Sequence, residues 1–135
     1  PVMGAGNSFV ARMIASLKDG HPVGATEREV RTPVDVITVG RALLELAGGG
    51  DAGIIHLAGH ERLSRFQIAQ KVAARFGFSP ELIVAQPVAA WPGRAARPRD
   101  VSLHNAKACA QLKTPMRTLD EGLSLIRKMS EAASV

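Results

Sequence analysis

The chain of 135 residues has no tyrosine, one cysteine, one tryptophan and four phenylalanines. Without a phenol, acid–base chemistry that uses tyrosine is excluded for these residues. A single cysteine, Cys109, excludes an intrachain disulfide and makes a reducing compartment, the cytoplasm, the expected setting. Aromatics that could stack bases are nearly absent, with only Trp91 near the most basic stretch, so nucleic acid is not the expected partner. No apolar run approaches the roughly 20 residues of a membrane span and no secretory signal opens the chain, so no membrane association is expected. His21 and the His60-Glu61 pair lack metal-ligand spacing, and no metal is expected.

What is present is an apolar chain with one basic region. A hydrophobic content of 46% excludes a disordered tail, and the length suits a single domain over residues 1–135. Residues 91–117 hold Arg94, Arg97, Arg99, Lys107, Lys113 and Arg117 against the lone acid Asp100, which accounts for the whole net charge of +5. Such a stretch suits a small phosphorylated ligand, or it is a solvated surface loop.

Hydrophobic spacing and punctuation predict α/β structure with helices dominant. A helix spans Ser8 to Asp19, with Phe9, Val10, Met13, Ile14 and Leu17 on one face and Gly20 as its stop. Val30 to Val36 reads as extended, with Pro33 marking an edge or a turn. A second helix starts about Thr38, which can cap it, with Val39, Leu43 and Leu46 inward and Gly48-Gly49-Gly50 as its end. Gly53 to Ala58 has the pattern of a buried parallel strand, with His56 as a core residue. Ser64-Arg65-Phe66-Gln67 is a capping box for a helix that buries Ile68, Ala69, Val72, Ala73 and Phe76 and closes near Gly77. Ser79-Pro80-Glu81 starts a short helical turn, Pro87 to Pro98 is an irregular linker, and Asn105 to Leu112 is a short helix with Cys109 as a small buried hydrophobe. A second capping box, Thr118 to Glu121, launches a final helix with Leu119, Leu123, Ile126 and Met129 on its apolar face.

Arg97-Pro98-Arg99-Asp100 is the best chemical candidate. Pro98 keeps the backbone extended, so Arg97 and Arg99 diverge. A guanidinium can grip a diphosphate through two parallel N–H bonds. Gly4-Ala5-Gly6-Asn7-Ser8-Phe9 has glycines ahead of a helix, but Phe9 stands where a dinucleotide loop needs its third glycine.

The runs Gly53-Ile54-Ile55-His56-Leu57-Ala58-Gly59, Leu63-Ser64-Arg65-Phe66 and Arg97-Pro98-Arg99-Asp100-Val101-Ser102-Leu103 together resemble the C-terminal portion of extended short-chain dehydrogenase/reductases. The nearest group is the dTDP-4-dehydrorhamnose reductases and nucleotide-sugar epimerases, and the resemblance runs from about Val2 to Leu125. It implies the C-terminal part of an extended Rossmann-type fold, helix-rich with few short strands. It implies that Arg97 and Arg31 contact the phosphates of a nucleotide-diphosphate sugar, that Asn7 contacts substrate, and that Asp100 serves nearby N–H groups or Arg99. An ion pair of Arg31 with Glu29 or Asp35 is the competing account of that residue, and helix capping competes at Asn7. Relatives commonly carry an acid at the position of Thr38 and a tyrosine at that of Met3, so those contacts are lost here.

The family acts through a Tyr-x-x-x-Lys pair and an N-terminal half that binds NAD(P). Neither the pair nor the glycine fingerprint is in these residues, so no catalytic residue and no cofactor site are expected here, and NAD(P) belongs to the intact protein. Met3-Gly4-Ala5-Gly6-Asn7-Ser8 has the form of a myristoylation signal, but the resemblance makes Met3 an internal residue. Two function classes follow. One is the substrate-binding part of an NAD(P)-dependent reductase, paired with its own N-terminal half or in a homo-oligomer. The other is a non-enzymatic module of the same superfamily that binds a nucleotide sugar or a partner, or serves as a regulatory subunit.

Overall fold

The computed structural model describes residues 2–4, 7–50, 52–88, 93, 95 and 98–132. Helix α1, Phe9–Lys18, begins where Ser8 Oγ accepts the Ala11 N–H at 3.1 Å. It buries Val10, Met13 and Leu17. The chain leaves it through Gly20, whose φ of 72° is a left-handed conformation open to glycine. The segment expected as one extended run from residue 30 is two strands with different partners. β1 (Val2–Met3) pairs in parallel with β4 (Val34–Asp35), while β3 (Val30–Arg31) runs antiparallel to β5 (Leu63–Ser64). Pro33, buried between β3 and β4, has no N–H with which to continue a ladder. A further parallel pair joins β2 (Val23–Ala25) to β6 (Ile83–Ala85).

Helix α2, Val36–Gly48, starts earlier than expected because its cap is Asp35 and not Thr38. The Asp35 carboxylate accepts the Thr38 N–H at 2.8 Å and the Thr38 hydroxyl at 2.6 Å. Thr38 and Ala42 form the buried stripe, whereas Leu43 is exposed and Val39 and Leu46 are only partly covered. Val39, Leu43 and Leu46 are therefore not the inward face of α2.

Helix α3, Arg65–Phe76, carries the capping box read from the sequence. Gln67 N–H donates to Ser64 Oγ at 3.1 Å, and Ser64 N–H donates to Gln67 Oε1 at 2.8 Å. Its buried face, Ile68, Ala69, Val72 and Ala73, packs on α1 and on α5 (Leu119–Ala132). Gly77 ends α3 with φ 74°, and the Phe78 N–H reaches back to the Ala73 carbonyl at 2.9 Å. The turn at Ser79-Pro80-Glu81 is a single 3-10 turn over Pro80–Leu82. α5 opens with its own reciprocal box between Thr118 and Glu121. Leu119, Leu123 and Ile126 are buried, but Met129 is half exposed, since the last turns of α5 run beyond the core.

Gly53 to Ala58 is not a strand. It pairs with no strand among the described residues, and Ile54 is 80% exposed. The apolar run has the composition of a strand covered on both faces, but a ladder needs neighbours, and here single contacts take their place. Asn105 Nδ2 donates to the Ala58 carbonyl at 2.9 Å, and Lys107 Nζ to the Ile54 carbonyl at 3.1 Å. His56 is therefore exposed, its Nδ1 3.3 Å from the His104 carbonyl. Helix α4 covers only Ala106–Gln111, and its buried residue is Ala108, so Cys109 is exposed rather than a core hydrophobe. The main core joins Met3, Val10, Leu17, Ile68, Val72 and Leu123, and a smaller one holds Ala42, Ala108 and Met116. Most of the linker expected from Pro87 to Pro98, with Trp91, lies outside the described residues.

Two glycines separate close packing from helix propensity. A Cβ at Gly59 would lie 2.0 Å from the Pro33 carbonyl oxygen, with a second backbone oxygen, that of Arg117, at 3.0 Å. Gly40, inside α2, has nothing within 4 Å of that position. Gly59→Ala is expected to lower stability by about 1–3 kcal/mol through overpacking. Gly40→Ala should raise it by about 0.5–1 kcal/mol through backbone entropy and helix propensity. Denaturant midpoints at unchanged slope measure both, and equal effects at the two sites would contradict the packing argument.

Candidate functional site

β3 brings Arg31 beside the segment from Arg99 to Val101. One edge pairs with β5, and on the other the Val30 N–H donates to the Arg99 carbonyl at 2.7 Å while the Val101 N–H donates to the Val30 carbonyl at 3.2 Å. The Arg99–Val101 segment therefore lies parallel to Val30 and beside Arg31. Arg97 and Arg94 lie outside the described residues, and Arg99 is exposed. Asp100 is paired with Arg62 rather than Arg99. Arg62 donates through Nε at 3.1 Å and through Nη2, and the Ser102 N–H donates to the other carboxylate oxygen at 2.9 Å. The Arg62 bonds, followed by those from Ser102, hold the Asp100 carboxyl well below its ordinary 3.8, at about 2.

Arg31 donates to its neighbour's carbonyl, that of Val30, at 2.7 Å and to Glu29 Oε2 at 3.4 Å. The same carboxylate oxygen accepts Arg65 Nη1 at 3.2 Å. Glu29 is 5% exposed, so one buried carboxylate holds two guanidiniums. Asp35 is not the partner of Arg31, because its oxygens are spent on the cap of α2. The Arg65 guanidinium also stands 4.4 Å from the centre of the Phe9 ring, a cation–π distance. Arg12, one helical turn after Phe9, completes a cleft of about 220 Å³ lined by Phe9, Arg12, Arg31, Arg65 and Ile68. Three guanidiniums against one carboxylate leave it with an excess of two positive charges. Such a cleft, lined by three guanidiniums with Phe9 and Ile68, can hold a dianion by side-chain hydrogen bonds.

Asn7 is an exposed bend residue, and the cap of α1 is Ser8, so the capping role open to Asn7 is not used. Ahead of α1, Gly4 and Ser8 are engaged within the fold. A Cβ on Gly4 would meet Val36 at 3.1 Å, so that glycine packs on α2, and Ser8 closes the turn by donating to the Gly4 carbonyl at 2.6 Å. Within the basic stretch, Arg117 turns inward and donates to the Thr38 hydroxyl at 3.1 Å. Among the described residues no three His, Cys, Asp or Glu side chains form a metal-binding group, and no helix is long and apolar enough to cross a membrane.

Sequence reasoning singled out Arg31 but missed Arg12, Arg65 and the bridging role of Glu29. A signal was present. Arg65 directly follows a capping serine, and a cation in the first turn of a helix opposes the helix dipole, so it calls for an acidic partner nearby. The spacing of Phe9 and Arg12 likewise puts both on one face of α1.

Two outcomes follow. Glu29→Ala leaves two partly buried guanidiniums without their carboxylate and should lower stability by roughly 1–3 kcal/mol, the range for hydrogen bonds to charged groups; an unchanged denaturation midpoint would show that the bridge carries nothing. Asp100 has a depressed folded value, so its pairing contributes above the ordinary 3.8 and is lost as pH falls through about 2. Carboxyl NMR titration should find Asp100 ionised at pH 3, and Arg62→Ala should return it toward its ordinary range.

The chain matches the RmlD substrate binding domain over residues 2–131. No curated protein matches it significantly. Among solved structures it resembles dTDP-4-dehydrorhamnose reductase from Bacillus anthracis, in complex with NADP, at 21% identity and a TM-score of 0.81, over 95% of this chain and 46% of that one. A hypothetical dTDP-4-dehydrorhamnose reductase from Sulfolobus tokodaii is 31% identical with a TM-score of 0.76, over 90% of this chain and 43% of that one. A dTDP-glucose 4,6-dehydratase from Bacillus anthracis, in complex with NAD, shares the fold at 14% identity and a TM-score of 0.74, over 98% of this chain and 42% of that one. The chain thus spans under half the length of these proteins. Its α/β, helix-rich architecture with few short strands is that of the C-terminal part of an extended Rossmann-type reductase, and it belongs to the RmlD substrate binding domain family.

Proposed function

We propose that this chain is the substrate-binding part of an NAD(P)-dependent reductase that acts on a nucleotide-diphosphate sugar, of the dTDP-4-dehydrorhamnose reductase type, in the cytoplasm. The observation that supports this reading is the convergence on β3 of Arg31 and the backbone of Arg99 to Val101, beside a cleft with an excess of two positive charges. A diphosphate brings the complementary charge, and guanidiniums match its geometry. Arg31 and Arg97 are the ligands expected to grip it, with Asn7 at the substrate edge.

NAD(P) is assigned in this reading to a partner half of the protein, which is supported by the lack of a Tyr-x-x-x-Lys pair in these residues and by the NADP and NAD complexes of the similar structures. Exposed apolar side chains support such an association, with its own N-terminal half or between copies: Leu44 is 77% exposed and Ile54 80%.

Calorimetric titration tests the reading. The full-length protein should bind a dTDP- or UDP-sugar, and the 135 residues alone should bind neither NAD nor NADP. Arg97→Lys keeps the charge but loses the bidentate geometry, and should weaken sugar-nucleotide binding by about 1–3 kcal/mol. Arg94→Lys and Arg99→Lys should change little at the same ionic strength. Equal small effects at all three positions would reduce the stretch to a diffuse basic surface, and micromolar NADP binding to the isolated chain would overturn the division of labour.

A further inference from the structure

We propose that Arg65, with Arg12 at the rim, is a second phosphate-binding group across from Arg31, and that the cleft between α1, β3 and α3 takes the two phosphates of a nucleoside diphosphate. This deepens the reading above and rests on it for the identity of the ligand. Three elements deliver the guanidiniums: Arg12 from α1, Arg31 from β3 and Arg65 from the first position of α3. One carboxylate, Glu29, serves two of them through a single oxygen, at 3.2 and 3.4 Å. Arg12 is exposed and has no hydrogen bond or ion pair among the described residues. The excess charge is therefore local to the cleft rather than spread over the surface.

The place of Arg65 argues in the same direction. A cation at the start of α3 opposes the helix dipole. It is kept there by its bond to Glu29 and its contact with the Phe9 ring. The guanidinium has five N–H donors and Glu29 uses only part of them. The main-chain donors at this helix start are already occupied. Arg65, Phe66 and Gln67 N–H groups go to the Glu29 carbonyl, the Thr26 carbonyl and Ser64 Oγ. An anion here is thus gripped by side chains, not by the helix terminus. Phe9 and Ile68 add apolar lining beside the guanidiniums.

The experiment is calorimetry on the full-length protein at fixed ionic strength, with dTDP and inorganic pyrophosphate as probes. Arg65→Lys should weaken both by on the order of 10–100-fold, as expected when a charged bidentate contact is lost. Arg12→Gln, a change at an exposed residue that leaves the core intact, should weaken both several-fold. Arg75→Lys, in the last turn of α3 where the arginine bonds Ser124, should stay within about twofold. If Arg31→Lys weakens dTDP binding while Arg65→Lys and Arg12→Gln bind as the unaltered protein does, this inference is wrong and the nucleotide-sugar reading stands. If pyrophosphate binds and depends on Arg65 but dTDP-sugars do not bind, the cleft is an anion site and the nucleotide-sugar reading fails. A protein that binds neither probe overturns both.

Discussion

The docking of the start of α3 onto residues 26–31 is the contact on which the site depends. Arg65 N–H donates to the Glu29 carbonyl at 3.0 Å and Phe66 N–H to the Thr26 carbonyl at 3.1 Å, while Ser64 caps the third amide. A helix leaves its first N–H groups without internal partners, and here the preceding loop supplies them. Thr26, Glu29 and Ser64 are buried as a result. With the helix start fixed, Ile68, Ala69, Val72 and Ala73 enter the core, and Ser64 and Leu63 come into register with Val30 and Arg31.

The same short strand then collects the far end of the chain. Its free edge takes Arg99 and Val101, and just beyond it the Thr32 hydroxyl accepts the Leu103 N–H at 3.1 Å. Electrostatics follows from this geometry. Arg62 is satisfied by Asp100 on the exposed side, whereas Arg31 and Arg65 must share Glu29 on the buried side. Positive charge is balanced in one place and left in excess in another, and the excess coincides with a cleft.

Around this hub the remaining helix ends are tied by carboxylates. Glu61 accepts the Leu119 N–H at 2.6 Å with one oxygen and Lys71 with the other at 2.9 Å, and Lys71 also reaches Asp120 at 2.8 Å. Asp120 and then Glu61 raise the Lys71 ammonium above its ordinary 10.5, so this pairing is present at neutral pH and fades only as pH rises past that range. Glu45 accepts the Lys113 and Thr114 N–H groups, which lower its carboxyl and join α2 to the segment before α5. These bonds cross between α3 and α5 and from α2 to the turn after α4, so they orient helices whose apolar faces alone would allow sliding.

Local chemistry made much of this legible in advance. The boxes at Ser64–Gln67 and Thr118–Glu121, the glycine stop at Gly77 and the buried faces of α1 and α3 depend on residues three or four positions apart, and the sequence by itself determined them. The family resemblance rested on short runs in a fixed order, and it singled out Arg31 as a candidate substrate contact. What tertiary structure alone decided was partnership over distance. Gly53 to Ala58 has a strand's composition but no neighbouring strand, because a ladder is made between segments and not within one. The pairing of β2 with β6 involves three residues each, too few for a periodic signal. Glu29 could be seen as a neighbour of Arg31, but that it also holds Arg65 follows only from folding, since long-range charge pairing depends on which buried carboxylate a guanidinium can reach.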